Sequence, residues 1–363
     1  MGNLKAIVVD DTIVYRKIVS DVLKEIPGVD VVAAAHNGKI ALSKISTLKP
    51  DFITLDIEMP EVNGIEVLQA LKDQPNPPVV IMLSTLTHEG GEMTMKALEL
   101  GAFDFVPKPD KGTMAENLLK VKKAILPIID ALKRQKRTNF QPRLSSGTTA
   151  VPKSVANKPS LAKPQRAIRK SKSEVIGIGI STGGPNALIK MIPMLPEDLK
   201  AAVLIVQHMP PMFTASLAKS LNNKSKIEVK EAENGDAIEP GKILIAPGGK
   251  QMKIVAGADG ITRKIKITDD PPENSCKPSV DYLFRSIAQH YVGRSTGVIM
   301  TGMGSDGSKG LVQMKNNGST VIAQDEATCT VYGMPKEPAE SGTADIVVPL
   351  EKIAREIVKT VSL

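Results

Sequence analysis

Short apolar runs alternate with amphipathic stretches twice along the chain, first over residues 1 to about 130 and again from about Glu174 onward. Such alternation predicts strands joined by helices, which pack as doubly wound α/β domains. Five strands are predicted in the first half: Lys5–Val9, Val31–Ala34, Phe52–Leu55, Val79–Leu83 and Asp104–Val106. The pattern therefore predicts a five-stranded parallel sheet for the first domain.

The second half contains strands of two kinds. Continuous apolar runs, typical of strands buried on both faces, occupy Val175–Ile178, Ala201–Val206, Lys242–Ala246 and Thr296–Met300. Two other runs, Lys253–Val255 and Ile261–Ile267, alternate apolar and polar residues as half-exposed hairpin strands do. We therefore expect residues 174–363 to form a mostly parallel α/β domain with an antiparallel hairpin.

A basic segment, residues 131–173, joins the two halves and is rich in Pro, Ser and Lys without a hydrophobic period. Between Arg134 and Ser173 there are 11 Lys or Arg and no Asp or Glu, so subtracting these 11 from the net charge of +8 leaves −3 for the remainder. A nucleic-acid-binding fold would carry basic residues on a structured face. The charge therefore predicts a flexible linker between domains 1–130 and 174–363, and no nucleic-acid partner.

The amino-acid composition argues against several further classes of protein. The aromatic content is 3% with no Trp, which disfavours a stacking surface for single-stranded nucleic acid. Cys276 and Cys329 are too few and too isolated in sequence to predict a disulfide framework or a zinc site. Because no apolar stretch approaches the ~20 residues of a membrane span, we expect a cytoplasmic protein with no membrane insertion.

Polar residues follow four of the predicted strands of the first domain. Asp10 and Asp11 follow the first, Asp56 the third, Ser84 the fourth and Lys108 the fifth. Three carboxylates gathered at one sheet edge repel unless a cation intervenes, and hard oxygen ligands suit Mg²⁺. A divalent ion beside a carboxylate, with a hydroxyl and an ammonium nearby, suits phosphorylation. Each acid alone could simply cap a helix, but together these residues favour the phosphorylation site.

These residues, with the run Asp56–Pro60 and Gly64, resemble response-regulator receiver domains. The resemblance implies that Asp56 accepts phosphate from a histidine kinase. It also implies that Asp11 and Asp56 hold Mg²⁺ with Asp10 close by, and that Ser84 and Lys108 bind the phosphoryl oxygens.

Ser181 lies among glycines directly after the apolar run Val175–Ile178. A sharp turn from strand to helix would expose its hydroxyl and aim the free N–H groups of the helix at the carbonyl that it attacks. His208 and Asp306 follow two other predicted strands. A serine nucleophile needs a base, and the base needs a carboxylate that fixes its tautomer. The sequence therefore predicts acyl transfer by Ser181, His208 and Asp306.

The glycines and Ser181 also allow three alternatives. A dinucleotide site requires G-x-G-x-x-G, but Gly183 comes one residue late after Gly177 and Gly179, and no acid ends the second strand. An α/β-hydrolase orders its triad Ser, acid, His, whereas the order here is Ser, His, acid. The third alternative is a non-catalytic response regulator whose second domain only binds a partner, with Ser181 as a helix cap.

Six motifs in the second half are similar to those of chemotaxis protein-glutamate methylesterases: Ile180–Pro185, Gln207–Pro210, Ala246–Gly248, Pro278–Asp281, Thr301–Gly307 and Tyr332–Pro335. The resemblance implies hydrolysis of γ-glutamyl methyl esters on the cytoplasmic helices of methylated chemoreceptors, and deamidation of receptor glutamines, with no metal for either step. It implies catalytic roles for Ser181, His208 and Asp306 and an oxyanion donor at the Met303 N–H, with a second donor expected near Thr182. We also expect the unphosphorylated receiver to cover the catalytic edge.

Overall fold

The computed structural model of the protein describes residues 3–138 and 171–362. Most of the predicted linker, residues 139–170, lies outside the described residues. The first unit is a parallel sheet of order β2-β1-β3-β4-β5, built from β1 (Leu4–Val9), β2 (Val29–Ala35), β3 (Phe52–Asp56), β4 (Val79–Ser84) and β5 (Asp104–Pro107). The helices of this unit are α1 (Ile13–Lys24), α2 (Gly38–Leu48), α3 (Gly64–Lys72), α4 (His88–Glu99) and α5 (Met114–Thr138). The predicted five-stranded fold is confirmed.

The last receiver helix, α5, differs from the expectation because it continues past the predicted boundary at residue 130 to Thr138. Ala131 and Leu132 are buried, and Leu132 packs in the same apolar cluster as Ile125 and Ile128. Lys and Arg are good helix formers, so the basic residues that follow extend the helix. The charge of these basic residues predicts a linker, whereas the structure places those up to residue 138 in the helix.

The second unit is a parallel sheet of order β14-β13-β12-β6-β7-β9-β8 among the described residues. Its strands are β6 (Val175–Ile180), β7 (Ala202–Gln207), β8 (Glu228–Glu231), β9 (Lys242–Ile245), β12 (Ser295–Ile299), β13 (Thr320–Gln324) and β14 (Ile346–Val348). The predicted hairpin, β10 (Gln251–Ala256) and β11 (Arg263–Thr268), pairs as a separate antiparallel sheet. The helices are α6 (Gly184–Met191), α7 (Phe213–Lys224), α8 (Val280–His290), α9 (Ser308–Asn316), α10 (Lys336–Glu340) and α11 (Leu350–Ser362).

The register of three central strands aligns the chemistry at one edge. β6 pairs with β7 so that Ile180 lies opposite Gln207, and β12 pairs with the other side of β6. Strand-like hydrogen bonds continue one residue beyond β6 and β7. Ser181 donates its N–H to Thr301 O at 2.9 Å, and His208 donates its N–H to Ile180 O at 3.1 Å. Adjacent strands are about 4.8 Å apart, so Ser181 and His208 stand on neighbouring strand ends.

The receiver packs directly on the second unit at this edge. The Phe105 ring stacks on Phe213 with centroids 4.8 Å apart, and Asn186 Nδ2 donates to the carbonyls of Ala102 and Phe103 at 2.9 and 3.0 Å. One apolar cluster contains buried residues from both units. Among the described residues, no helix has the length and apolar character of a membrane span.

Candidate active site

The turn that carries Ser181 has the geometry predicted for a nucleophile between a strand and a helix. Gly183 has a φ of +73°, and a Cβ at this position would lie 2.3 Å from Thr330 Oγ1, so glycine is required on two grounds. The helix α6 begins at the next residue, with Pro185 in its first turn. The turn is closed by the Gly184 N–H, which donates to Ser181 O at 2.7 Å.

His208 and Asp306 are joined by a hydrogen bond of 2.8 Å between Nε2 and Oδ2. Asp306 is buried at the N-terminus of α8, where a carboxylate is favoured by the helix dipole and the free N–H groups. Four further donors hold its oxygens at 2.7 to 3.1 Å: Val280 N, Asp281 N, Ser279 Oγ and Asn274 Nδ2. The acid is thus rigidly held for orienting the imidazole.

His208 and Asp306 each stabilise the charged form of the other. Burial alone would lower the pKa of His208, but the hydrogen bonds with Asp306 and Cys276 raise it to about 9. Burial would raise the pKa of Asp306, yet the interaction with His208 keeps that pKa below its usual value. Nε2 bonds to the carboxylate, and Nδ1, the other ring nitrogen, lies 3.7 Å from Cys276 Sγ.

Ser181 and His208 line one cavity of about 150 Å³ together with Thr182. The described residues include no hydrogen bond between the Ser181 hydroxyl and the imidazole, so this part of the predicted triad is adjacent rather than bonded. Hydrogen bonds of catalytic groups are often long before substrate binds. The cavity therefore brings the side chains predicted as nucleophile and base next to each other.

Two backbone N–H groups near Ser181 are available for an oxyanion. In the part of the chain that the structure describes, neither the Thr182 N–H nor the Met303 N–H has a hydrogen-bond acceptor. The loop that contains Met303 is held in place at the preceding residue, because Gly333 and Met334 both donate their N–H groups to Gly302 O. These are the two positions that the sequence predicts, and both have the free donor that the role requires.

Sequence reasoning missed Asn274 and Cys276 as neighbours of the triad. Asn274 has a φ of +52° and donates from one Nδ2 to both Asp281 and Asp306. The Cys276 Sγ lies 3.7 Å from His208 Nδ1. The segment before α8 has no apolar period that would place it, although Asn at a positive φ is a familiar signal of a tight turn.

The receiver gathers its predicted site residues at the carboxyl edge of its sheet. Carboxylate oxygens of Asp10, Asp11 and Asp56 all lie within 4.8 Å of one another. Lys108 Nζ bridges Asp10 Oδ2 at 2.8 Å and Asp56 Oδ2 at 2.7 Å. Burial, aided by the nearby Asp10 charge, raises the pKa of Asp56 to about 6.

Ser84 lies at the end of β4 with its hydroxyl engaged by α4. It donates to Gly90 O at 3.1 Å and accepts from Thr94 Oγ1 at 2.6 Å. The side chain is fully buried. The Ser84 hydroxyl therefore donates its hydrogen bond to α4, the helix that packs against the second unit.

A receiver carboxylate reaches into the turn of the nucleophile. Asp104 Oδ2 accepts from the Gly183 N–H at 2.9 Å, and receiver residues Phe105, Pro107, Ala124 and Ile128 help to line the cavity of Ser181 and His208. These residues cover one side of the cavity. The fold and the site thus define a class of protein in which a receiver-type α/β unit covers an α/β unit with a serine-hydrolase-like site.

Comparison with known proteins agrees with that class. The family described as CheB methylesterase matches residues 176–357, and the response regulator receiver domain family matches residues 6–119. The chain is 57% identical to a protein-glutamate methylesterase/protein-glutamine glutaminase of Desulfotalea psychrophila, with 100% of both chains covered. It is 42% identical to a protein of the same name from Pyrococcus horikoshii, covering 100% of this chain and 95% of that protein.

A solved structure gives the same result for the second unit. The catalytic domain of the CheB methylesterase from Thermotoga maritima matches with a TM-score of 0.50 and 41% identity, covering 52% of this chain and 99% of that one. The chain therefore belongs to the CheB protein-glutamate methylesterase family, with a response-regulator receiver domain on its N-terminal side.

Proposed function

We propose that the protein hydrolyses γ-glutamyl methyl esters on chemoreceptors, releases methanol, and is activated by phosphorylation of Asp56. The observation that carries the proposal is the 2.8 Å bond between His208 and Asp306, beside a cavity that Ser181 also lines. Relatives that match the whole chain bear the name of this activity. Adaptation in chemotaxis, by resetting receptor methylation in the cytoplasm, is the process that such hydrolysis serves.

In the first step the Ser181 Oγ attacks the ester carbonyl while its proton passes to His208 Nδ1. The Thr182 and Met303 N–H groups stabilise the oxyanion, and each such donor contributes about 2.7–4 kcal/mol in a comparable hydrolase. The protonated His208 then gives its proton to the methoxy oxygen, so that methanol leaves and an acyl-enzyme remains. Asp306 stabilises the imidazolium throughout.

In the second step a water molecule replaces methanol. His208 removes a proton from the water as it attacks the acyl carbon, and the proton then goes to the Ser181 Oγ as the acyl bond breaks. The product is the free glutamate and the enzyme is restored. A glutamine amide enters the same sequence with ammonia as the leaving group, which supports a glutaminase activity as well.

The oxygen donors of the receiver fit a magnesium ion. Asp10, Asp11 and Asp56 offer hard carboxylate oxygens close together, and Asp11 is exposed, which leaves room for water ligands. When bound, the ion would neutralise charge on a phosphoryl group at Asp56. Lys108 already bridges two of these acids and would bind a phosphoryl oxygen, as would the hydroxyl of Ser84 after it leaves Gly90. The phosphate donor is then a histidine kinase.

The route from Asp56 to the catalytic edge runs through α4. A phosphoryl group that attracts the Ser84 hydroxyl would break its bonds with Gly90 and Thr94, both in α4. This helix packs on α7 through the ion pair Glu92–Lys219 and the bond from Ser220 to Glu99, each 2.7 Å long. A coupling of about 1–3 kcal/mol, equal to about 5–150-fold, is usual for such linkage.

The experiment that tests the function is methanol release from membranes with methylated receptors, using wild type and Ser181→Ala. We expect the variant to lose at least about 10³-fold of the rate, since triad members act as a unit, while Asp56 still accepts phosphate. Methanol release at the wild-type rate by the variant would refute the assignment of the nucleophile. It would also revive the alternative in which the second domain only binds a partner.

A further inference from the structure

The fold brings one cysteine against the catalytic histidine. Cys276 Sγ lies 3.7 Å from His208 Nδ1, while the other ring nitrogen, Nε2, bonds to Asp306. One ligand atom from each of the three side chains can be chosen so that all lie within 4.8 Å of one another. Cys276 and His208 are 68 residues apart in the sequence. The sequence alone, which predicts no zinc site, could therefore not indicate this cluster.

The separation of the sulfur and the nitrogen suits a tetrahedral zinc ion. With Zn–N bonds of about 2.0–2.1 Å and Zn–S bonds of about 2.3 Å, tetrahedral ligands of these two kinds lie about 3.5–3.6 Å apart. The distance of 3.7 Å therefore needs very little movement. Imidazole nitrogen and thiolate sulfur are also the donor types that zinc prefers over magnesium.

The surroundings of His208 match those of a metal-bound histidine. Such a histidine usually donates its second ring N–H to a carboxylate, which fixes the tautomer and raises the basicity of the ligand. Asp306 provides this contact, and four donors hold Asp306 in turn. The same hydrogen bond that orients a catalytic base thus also prepares Nδ1 to bind a metal.

We propose that Cys276 and His208 form an inhibitory binding site for Zn²⁺ beside Ser181. On binding, the Cys276 thiol releases its proton to solvent, Sγ and Nδ1 each form one bond to the ion, and water fills the remaining positions. The Nδ1 lone pair is then no longer able to accept the Ser181 proton. The ion would therefore stop ester hydrolysis reversibly, and a chelator would restore it. The site is separate from the carboxylate cluster of the receiver.

The binding test uses the full-length protein and Co²⁺ as a spectroscopic probe for Zn²⁺. We expect wild type to show a thiolate-to-cobalt charge-transfer band that saturates at one ion and is displaced by Zn²⁺. Cys276→Ala should lose the band. The matched control is Cys329→Ala, which should keep it, because burial raises the pKa of the Cys329 thiol and makes it a poor ligand. Circular dichroism confirms that each variant is folded.

The inhibition test compares methanol release with and without Zn²⁺, each variant being normalised to its own metal-free rate. Cys276→Ala should need at least about 10-fold more Zn²⁺ for half inhibition, since even indirect ligand partners affect metal affinity by 10–100-fold. A band that survives in Cys276→Ala, its absence in wild type, or equal inhibition of both proteins would overturn the proposal. The cobalt experiment does not depend on esterase activity, so failure of the metal site and failure of the proposed function are distinguishable.

Discussion

The Asp104 carboxylate accepts a 2.9 Å hydrogen bond from the backbone N–H of Gly183, two residues after Ser181. The N-terminus of a helix is a natural site for a negatively charged oxygen, and here the receiver fills that position with its own side chain. Asp104 is only 5% exposed, so the contact is enclosed between the two units. This hydrogen bond links the receiver to the turn that carries Ser181.

Removing the Asp104 carboxylate should raise the activity of the unphosphorylated protein. Without this acceptor the Gly183 N–H would be left buried and unpaired in the docked state, which costs about 1–3 kcal/mol. We expect Asp104→Ala to release methanol about 3- to 10-fold faster than wild type before phosphorylation and at a similar rate after it. Asp73→Ala, an exposed acid of the same unit, is the control and should behave as wild type. An unchanged basal rate in Asp104→Ala would show that this contact does not restrain the enzyme.

The same residue makes the docking of the receiver dependent on pH. Burial raises the pKa of Asp104 to about 6, from an ordinary value of 3.8. Asp104 faces Gly183 of the second unit, so we expect undocking to expose the carboxyl and return its pKa toward 3.8. Docking should then strengthen as the pH falls from about 6 toward 4. We expect the basal rate of wild type, divided by that of Asp104→Asn at the same pH, to fall as the pH is lowered from 7 to 5. A ratio that stays constant over this range would contradict the linkage.

Helices α4 and α7 approach each other closely at Gly91. A Cβ at this position would lie 2.6 Å from Ser216 Oγ, so a large side chain would separate the two units. We expect Gly91→Leu to raise basal methanol release several-fold and to reduce the further gain on phosphorylation. Lys96→Leu, on an exposed position of the same helix, should leave both rates unchanged. Wild-type regulation in Gly91→Leu would indicate that this interface does not hold the closed state.

Asn274 should act as a positioning residue for the catalytic acid. It donates to Asp281 at 2.9 Å and to Asp306 at 2.8 Å, and so separates two buried carboxylates. In Asn274→Ala the two acids would repel each other, and Asp306 would orient His208 less well. We expect kcat to fall about 10- to 100-fold with little change in KM, by analogy with other indirect partners of an active group. A change in KM alone would instead assign Asn274 to substrate binding.

Much of the fold could be predicted because strand ends carry the chemistry in both units. Asp10 follows β1, while Asp56 and Ser84 are the last residues of β3 and β4, so all three lie at the predicted edge of the sheet. Three strands of the described residues escaped prediction: β13 at Thr320–Gln324 has five residues, and β8 at Glu228–Glu231 and β14 at Ile346–Val348 are shorter. Strands of three or four residues contain too few positions for alternation to be recognised.

The details of the site were less predictable because they arise from contacts distant in sequence. Asn274 and Cys276 belong to a loop that has no periodicity, and only the packing of α8 brings them to Asp306 and His208. The sequence pattern predicts Asp104 as part of a strand, but its contact with Gly183 of the other unit depends on how the two units pack. Pairing between units depends on the shape of both surfaces, which a local pattern of residues does not contain.

Covalent labelling of the nucleophile tests the central claim most directly. An organophosphonate ester that traps activated serines would be incubated with the protein before and after phosphorylation, and the modified peptide identified by mass spectrometry. We expect the label on Ser181 alone, faster after phosphorylation, and at least about 10³-fold slower in His208→Gln. Labelling of a different residue, or of Ser181 at equal rates with and without His208, would contradict the account.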